Sequence, residues 1–155
     1  YPATTPMIRK PCVLFLCTHN SARSQMAEGW LRHLAGDTFE VFSAGTEPRQ
    51  PHPRAVEAMR ECGIDISGHT SKGLEGILGH VPVRYAIIVC AQASNECPRI
   101  YPALGEVLHW PFDDPSAATG SEADQLAVFR RIRDEIGERL RSWLLIMPQN
   151  PPSLP

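Results

Sequence analysis

The sequence has no long apolar run, no Cys-x-x-Cys pair and no excess of charge of one sign. Its longest apolar stretches, at 12–17, 86–91 and 143–147, fall far short of the roughly 20 residues that cross a bilayer. Lys and Arg number 15 and Asp and Glu 17, so no overall field attracts nucleic acid or an acidic membrane surface. No secretory segment is recognisable. These absences favour a cytoplasmic protein that captures any anion at a local site.

Cysteine is present, but not in a pattern that builds a disulfide scaffold or a zinc site. The odd number and irregular spacing do not suit a secreted disulfide framework, and no histidines lie at zinc-binding spacing. We therefore expect no metal and no cofactor. The five thiols are either core or reactive residues: Cys12, Cys17, Cys62, Cys90 and Cys97. Cys12 in a predicted strand and Cys62 at a predicted helix end are expected to be packing residues.

Length and composition indicate one globular domain. The chain has 155 residues, of which 43% are apolar, and we expect a single domain over 8–147 with loose termini at 1–7 and 148–155. The predicted elements alternate along the chain: strands at 12–16, 39–43, 86–90 and 107–112, and helices at 22–35, 53–61 and from a capping box at 121–124 to about 143. Alternation of this kind predicts an α/β fold, a parallel sheet with helices on both faces.

The segment that joins the first predicted strand to the first helix carries the strongest functional signal. In α/β sheets, ligands bind at the carboxyl ends of the strands, and a helix N-terminus attracts anions and favours a thiolate. Cys17 would be the nucleophile there, and the guanidinium of Arg23 can hold two oxygens of an oxyanion. The residues expected to bind the substrate follow the nucleophile without a gap: Thr18, His19, Asn20, Ser21, Ala22, Arg23 and Ser24. The C-x5-R spacing alone leaves open a core thiol and a surface arginine.

This segment resembles the phosphate loop of the low-molecular-weight tyrosine phosphatases, C-x5-R-S near the N-terminus. Further segments at 43–45, 64–71 and 110–115 are similar to one branch of that family, the thioredoxin-coupled arsenate reductases. The resemblance implies a four-stranded parallel sheet in a flavodoxin-like three-layer fold. It also implies that Asp114 is the general acid, which protonates the leaving oxygen. Without the resemblance, Asp113 and Asp114 would be interpreted as a solvated turn before Pro115.

Two further cysteines distinguish reduction from hydrolysis. In the reductases that the sequence resembles, a pair spaced like Cys90 and Cys97 carries oxidation away from the first thiol. The resemblance therefore implies that Cys17 attacks arsenate, that Cys90 then forms a disulfide with Cys17, and that Cys97 takes over Cys90. Thioredoxin would reduce the final disulfide. Each step is a thiolate exchange.

Two alternatives remain. The first is a phosphatase that hydrolyses phosphate monoesters through a cysteinyl-phosphate. It is disfavoured for a bulky aryl ester because Ser116 follows Pro115, where tyrosine phosphatases of this fold carry an aromatic side chain. The second is a redox-switched binding module, which would need neither Arg23 nor Asp114.

The remaining expectations concern ions and partners. Some reductases of this branch bind potassium through an acidic residue just after the Thr-Ser pair, where this chain has Lys72. We expect the Lys72 ammonium to replace the ion beside Asn20, Glu28 and Ser43. The expected ligands are arsenate, with phosphate or sulfate as analogues, and thioredoxin. We expect a monomer that binds neither nucleic acid nor a membrane.

Overall fold

Four parallel strands form one sheet in a computed structural model, which describes residues 10–17, 22–45, 50–69, 83–89 and 104–147. The strands are β1 (Cys12–Cys17), β2 (Glu40–Gly45), β3 (Val83–Ile88) and β4 (Leu104–His109), in the order β2-β1-β3-β4. All three pairings are parallel. Every residue of β1 is buried, as expected for a central strand covered on both faces. The predicted fold class is confirmed.

In the part of the chain that the structure describes, the sheet is accompanied by the α-helices α1 (Arg23–Ala35), α2 (Pro53–Arg60) and α3 (Glu122–Ile146). The predicted capping box starts α3, since Asp124 N–H donates to Ser121 Oγ at 3.1 Å and Ser121 N–H donates to Asp124 Oδ2 at 3.3 Å. Pro53 occupies the first turn of α2, as predicted. Gly63 follows that helix with a φ of 79°, a left-handed conformation common after helix ends.

Two predicted strands have different bounds in the structure. The strand predicted at 86–90 is β3, which already begins at Val83, where the exposed Arg84 interrupts the apolar run. Strand β4 spans Leu104–His109, so the bounds predicted at 107–112 lie too far toward the C-terminus. Pro111 has no N–H to donate, so the apolar residues around it lie beyond the regular ladder. Most side chains of β4 are exposed, so no apolar pattern in the sequence marks where this strand begins.

Helix α3 packs against α1 and against aromatic side chains of the core. The indole of Trp30 donates from Nε1 to the carbonyl oxygen of Arg133 at 3.0 Å, which fixes α1 against α3. A Cβ at Gly137 would lie 2.9 Å from the Trp30 ring, so the glycine allows this close approach. Trp143 packs on Phe39, Tyr85 and Trp110 with ring centroids 5.4–5.7 Å apart.

An ion-pair cluster joins α3 to the end of α2. Arg130 binds both carboxylate oxygens of Glu61, at 2.7–3.1 Å, and Arg133 binds one of them at 2.8 Å. The hydrogen bond from Arg130 is the main reason that the pKa of Glu61 falls to about 2.

Within the described ranges, no helix is both long and apolar enough to cross a membrane.

Candidate active site

The nucleophile predicted from the sequence lies at the carboxyl end of β1. Cys17 is the last residue of that strand, is buried, and pairs in register with Gly45 of β2. On the other side, Val89 N–H donates to Leu16 O at 2.9 Å. The chain after β4 continues along this edge, since Phe112 N–H donates to Val89 O at 3.1 Å. Three segments distant in sequence therefore meet beside Cys17, at the end of the sheet where α/β proteins bind ligands.

Arg23 opens α1 and points toward the segment after β4. It is 7% exposed. Its Nη1 donates to Phe112 O at 3.1 Å, and its Nη2 lies 3.7 Å from Asp114 Oδ2. Among the described residues, the buried Nε has no hydrogen-bond partner. A buried donor without a partner is costly, so this one is suited to an oxyanion.

The N-terminus of α1 adds further donors to the site. Its N-cap residue is Ala22, whose methyl group cannot accept a hydrogen bond from the first turn. The backbone amides of a helix start, together with the helix dipole, favour a bound anion. An oxyanion there would take the place of a capping side chain.

The Asp-Asp-Pro turn sends its two carboxylates in different directions. Asp113 is exposed and lies 3.5 Å from Arg131 of α3, whereas Asp114 faces Arg23. Asp114 Oδ1 accepts from Ser116 N–H at 3.0 Å and from Ser116 Oγ at 2.6 Å, which caps a 3-10 turn over Pro115–Ala117. The Asp114 side chain is 39% exposed. A carboxyl group in this position can exchange a proton with both solvent and substrate.

A buried carboxylate, Glu28, supports the site from within α1. It accepts a short hydrogen bond from Ser43 Oγ of β2, and its Oε2 lies 2.7 Å from Arg32 Nη2. His69 Nδ1 lies 3.9 Å from the same oxygen and 3.1 Å from Gln25 Oε1. The cluster fixes α1, and hence Arg23 at its start, to β2 and to His69 in the segment after α2.

His52 is a titratable group near the site that the sequence did not single out. Its Nδ1 accepts from Arg54 N–H at 3.1 Å and caps α2. Its ring packs on Phe129, with centroids 4.6 Å apart. Burial lowers the pKa of His52, as does the charge of Arg54, whereas the charge of Asp114 acts in the opposite direction. A neutral imidazole with Nδ1 as acceptor carries its proton on Nε2.

Of the predicted site residues, the structure brings Arg23 and Asp114 to 3.7 Å of each other and places Cys17 at the end of β1, with Ala22 and Ser24 flanking Arg23 at the start of α1. The other predicted site residues lie outside the described residues: Thr18, His19, Asn20, Ser21, Cys90 and Cys97. Lys72 lies outside them as well. Cys12 is buried and Cys62 partly buried, in line with packing roles. In the described part of the chain, no group of His, Cys, Asp or Glu side chains is placed to hold a metal ion.

Sequence reasoning missed the contacts that Arg32, Ser116 and His52 make. A signal existed for Arg32, because Glu28 and Arg32 have the i, i+4 spacing of a helical ion pair. Ser116 could have been identified from the Asp-x-Ser pattern, in which a serine can donate back to the aspartate. His52 had no comparable signal, because only the packing of α2 against α3 brings it near Asp114.

Comparison with known proteins agrees with this geometry. Residues 12–151 match the family model of the low molecular weight phosphotyrosine protein phosphatases. The chain therefore belongs to that family. Among its relatives is an arsenate reductase of Halalkalibacterium halodurans, 45% identical over 136 residues, which are 88% of this chain and 96% of the relative.

Solved structures give the same result. An arsenate reductase in the phosphate binding state superposes with a TM-score of 0.75 at 33% identity, covering 89% of this chain and 99% of that one. A thioredoxin-dependent arsenate reductase of Corynebacterium glutamicum superposes with a TM-score of 0.64 at 29% identity, covering 91% of this chain and 65% of that one. The resemblance to the arsenate reductase branch of the family, and with it the prediction of an enzyme, is confirmed.

Proposed function

We propose that this chain reduces arsenate to arsenite through a relay of three cysteines, regenerated by thioredoxin. The observation that carries the proposal is the buried Arg23, which lies against Phe112 O and Asp114 at the carboxyl end of the strand that carries Cys17. The arsenate reductases among its relatives support the choice of substrate. The thioredoxin dependence of the Corynebacterium glutamicum relative supports the choice of reductant.

In the first step, the Cys17 thiolate attacks the arsenic atom of arsenate. A sulfur–arsenic bond forms, the bond from arsenic to a hydroxyl group of arsenate breaks, and this hydroxyl takes a proton from Asp114 and departs as water. Arg23 and the first-turn amides of α1 hold the remaining oxygens and offset their negative charge. Arsenic remains in its +5 state throughout this step.

The second and third steps move electrons between sulfur atoms and arsenic. The Cys90 thiolate attacks the sulfur of Cys17, and the electron pair of the sulfur–arsenic bond passes to arsenic, which leaves as arsenite in the +3 state. The Cys97 thiolate then attacks the sulfur of Cys90 and releases Cys17 as a thiolate. The dithiol of thioredoxin reduces the resulting Cys90–Cys97 disulfide and is itself oxidised to a disulfide. In the described chain, Val89 bonds to Leu16 O one residue before Cys90, which favours an encounter of Cys90 with Cys17.

The test is arsenate-dependent NADPH oxidation with thioredoxin and its reductase. Cys97→Ser is expected to abolish multiple turnover while a single turnover still releases up to one equivalent of arsenite. Hydrolysis of para-nitrophenyl phosphate by this variant should match the wild type. Cys62→Ser, which removes a thiol at the end of α2, is the matched control and should keep both activities. Loss of both activities in folded Cys97→Ser would reject the relay.

A weak phosphatase activity is the second candidate function. Its supporting observation is the placement of Arg23 beside Asp114, because an oxyanion site with a nearby carboxyl group suits phosphoryl transfer equally well. The Cys17 thiolate would form a cysteinyl-phosphate that water then hydrolyses. An arsenate reductase rate far above the phosphatase rate under the same conditions would make reduction the main activity, and the reverse order would make the chain a phosphatase. A redox-switched binding module would show neither activity.

A further inference from the structure

Ser116 makes a contact that no catalytic assignment explains. Its side chain donates from Oγ to Asp114 Oδ1 at 2.6 Å, and its backbone N–H donates to the same oxygen at 3.0 Å. The other carboxylate oxygen, Oδ2, lies 3.7 Å from Arg23 Nη2. The two oxygens of Asp114 are therefore in different environments.

We propose that Ser116 is a positioning residue for Asp114, whose hydroxyl fixes Oδ1 so that Oδ2 faces Arg23 and carries the transferred proton. This inference rests on the proposed function, in which Asp114 is the general acid. An oxygen that accepts two hydrogen bonds is the carbonyl oxygen when the acid is neutral, so the proton resides on the other oxygen. The group that faces the substrate is then the one that donates.

The chain contains a second copy of the same arrangement outside the site. Ser67 donates to Asp65 Oδ1 from its N–H at 2.9 Å and from its Oγ at 2.6 Å. These bonds, the side-chain bond first, lower the pKa of Asp65, because they favour the carboxylate. The hydroxyl and the N–H of Ser116 make the same pair of hydrogen bonds to Asp114 Oδ1. Ser67 therefore offers a control that removes the same hydrogen bond from an aspartate beside Arg60 and His69.

Other charged groups face Asp114 from the neighbouring elements. Arg23 approaches from α1, and His52 from the start of α2. Arg131 of α3 pairs with the adjacent Asp113. None of these groups binds Oδ1 in the described structure, so the Ser116 hydroxyl can be removed without removing a charge. The backbone N–H of residue 116 also remains, which leaves the 3-10 turn capped.

Phosphoryl transfer isolates the role of the proton. The Cys17 thiolate attacks phosphorus, the ester oxygen leaves with the bonding pair, and it takes the proton of Asp114 Oδ2. The products are a cysteinyl-phosphate and a phenol. Phenyl phosphate has a more basic leaving group than para-nitrophenyl phosphate, so its cleavage depends more strongly on this proton.

The experiment compares the kcat/KM pH profiles of both esters for wild type, Ser116→Ala, Ser116→Thr, Ser67→Ala and Asp114→Asn. In Ser116→Ala, the alkaline limb of the kcat/KM profile should move to higher pH, because loss of a hydrogen bond to the carboxylate favours the protonated acid. This substitution should also lower the plateau for phenyl phosphate by about two- to tenfold, the range of one hydrogen bond, with a smaller loss for para-nitrophenyl phosphate. Ser116→Thr should restore both properties. Ser67→Ala should give the wild-type profile.

Two results would overturn the inference, and they can be told apart. A wild-type profile for Ser116→Ala, alongside loss of the alkaline limb in Asp114→Asn, rejects the role of Ser116 and leaves the general acid in place. A wild-type profile for Asp114→Asn removes the general-acid assignment itself, and the role of Ser116 with it. A melting temperature for each variant excludes misfolding as the cause.

Discussion

Arg23 Nη1 and Phe112 O are 3.1 Å apart although 89 positions separate the two residues in the chain. The hydrogen bond joins the start of α1 to the segment that carries Asp114. The same guanidinium lies 3.7 Å from the Asp114 carboxylate. One side chain thus contacts both the backbone and the carboxylate of the segment that carries the proposed general acid.

Replacing Arg23 by lysine should separate geometry from charge. An ammonium group cannot hold two oxygens in one plane or span both contacts, so we expect arsenate reduction and phosphatase activity to fall by about 100-fold or more. Steady-state kinetics with arsenate and with para-nitrophenyl phosphate measure this. Arg60→Lys, an exposed change at the end of α2, should keep both activities. Wild-type activity of folded Arg23→Lys would contradict the assigned role.

The activity should not depend on potassium. The buried carboxylate of Glu28 already has Arg32 as its counter-charge and accepts a hydrogen bond from Ser43. Rates in potassium, sodium and choline chloride at equal ionic strength are expected to agree, and strong activation by potassium alone would refute this.

The same cluster should contribute to stability. Arg32→Gln leaves the Glu28 carboxylate buried without a guanidinium and is expected to cost roughly 1–3 kcal/mol of unfolding free energy. This is less than for a fully buried pair, because Arg32 is half exposed. Urea unfolding measures the loss. Glu138→Gln, which breaks the exposed pair with Arg141, should change little.

The pair of arginines on Glu61 should make stability sensitive to acid. The folded-state pKa of Glu61 is about 2, below its ordinary value of 4.5, so the folded protein binds the proton less readily than the unfolded chain. The contribution is full above pH 4.5 and is lost as the pH falls toward 2.

Glu61→Gln should therefore destabilise the protein at pH 7 by roughly 1 kcal/mol, a modest value because the carboxylate is 36% exposed and screened by water. In urea titrations the difference from wild type should shrink between pH 4.5 and pH 3. Glu138→Gln is the matched control, since its carboxylate is 75% exposed. A difference that grows in acid would disprove the linkage.

His52 should give stability a second pH dependence, near neutrality. Its pKa is lowered from 6.5, so folding favours the neutral ring, and its contribution is full above pH 6.5 and falls in more acidic solution. His52→Asn keeps a capping side chain without this titration and should flatten the stability profile between pH 7.5 and 5.5. Relative to His52→Asn, His52→Ala should lose about 1 kcal/mol at every pH, the value of a helix cap. His33→Asn, an exposed change, should retain the wild-type slope.

Local signals in the sequence were sufficient for much of the fold and for part of the site. The start of α3 follows from Ser121 and Asp124, because a capping box is complete within four residues. The positions of Cys17 at the end of β1 and of Arg23 at the start of α1 were predictable for the same reason, since the strand end and the helix start are close together in the sequence.

Long-range packing decides the features that the sequence missed. The bounds of β4 depend on its hydrogen bonds with β3, and its exposed residues carry no apolar pattern. The approach of Asp114 to Arg23 requires Phe112 to pair with Val89, a contact that no local motif encodes. The position of His52 depends likewise on its packing against Phe129.

The ring contact between Trp110 and Trp143 has an optical consequence. Trp110 is buried four residues before Asp114, and its ring lies edge-on to Trp143 with the centroids 5.7 Å apart and Arg139 above it. Indole emission depends on neighbouring charges and on the packing of the ring. A shift of the segment that carries Asp114, such as one caused by an oxyanion on Arg23, should therefore change the intrinsic fluorescence. The chain thus contains its own label for following substrate occupancy in real time.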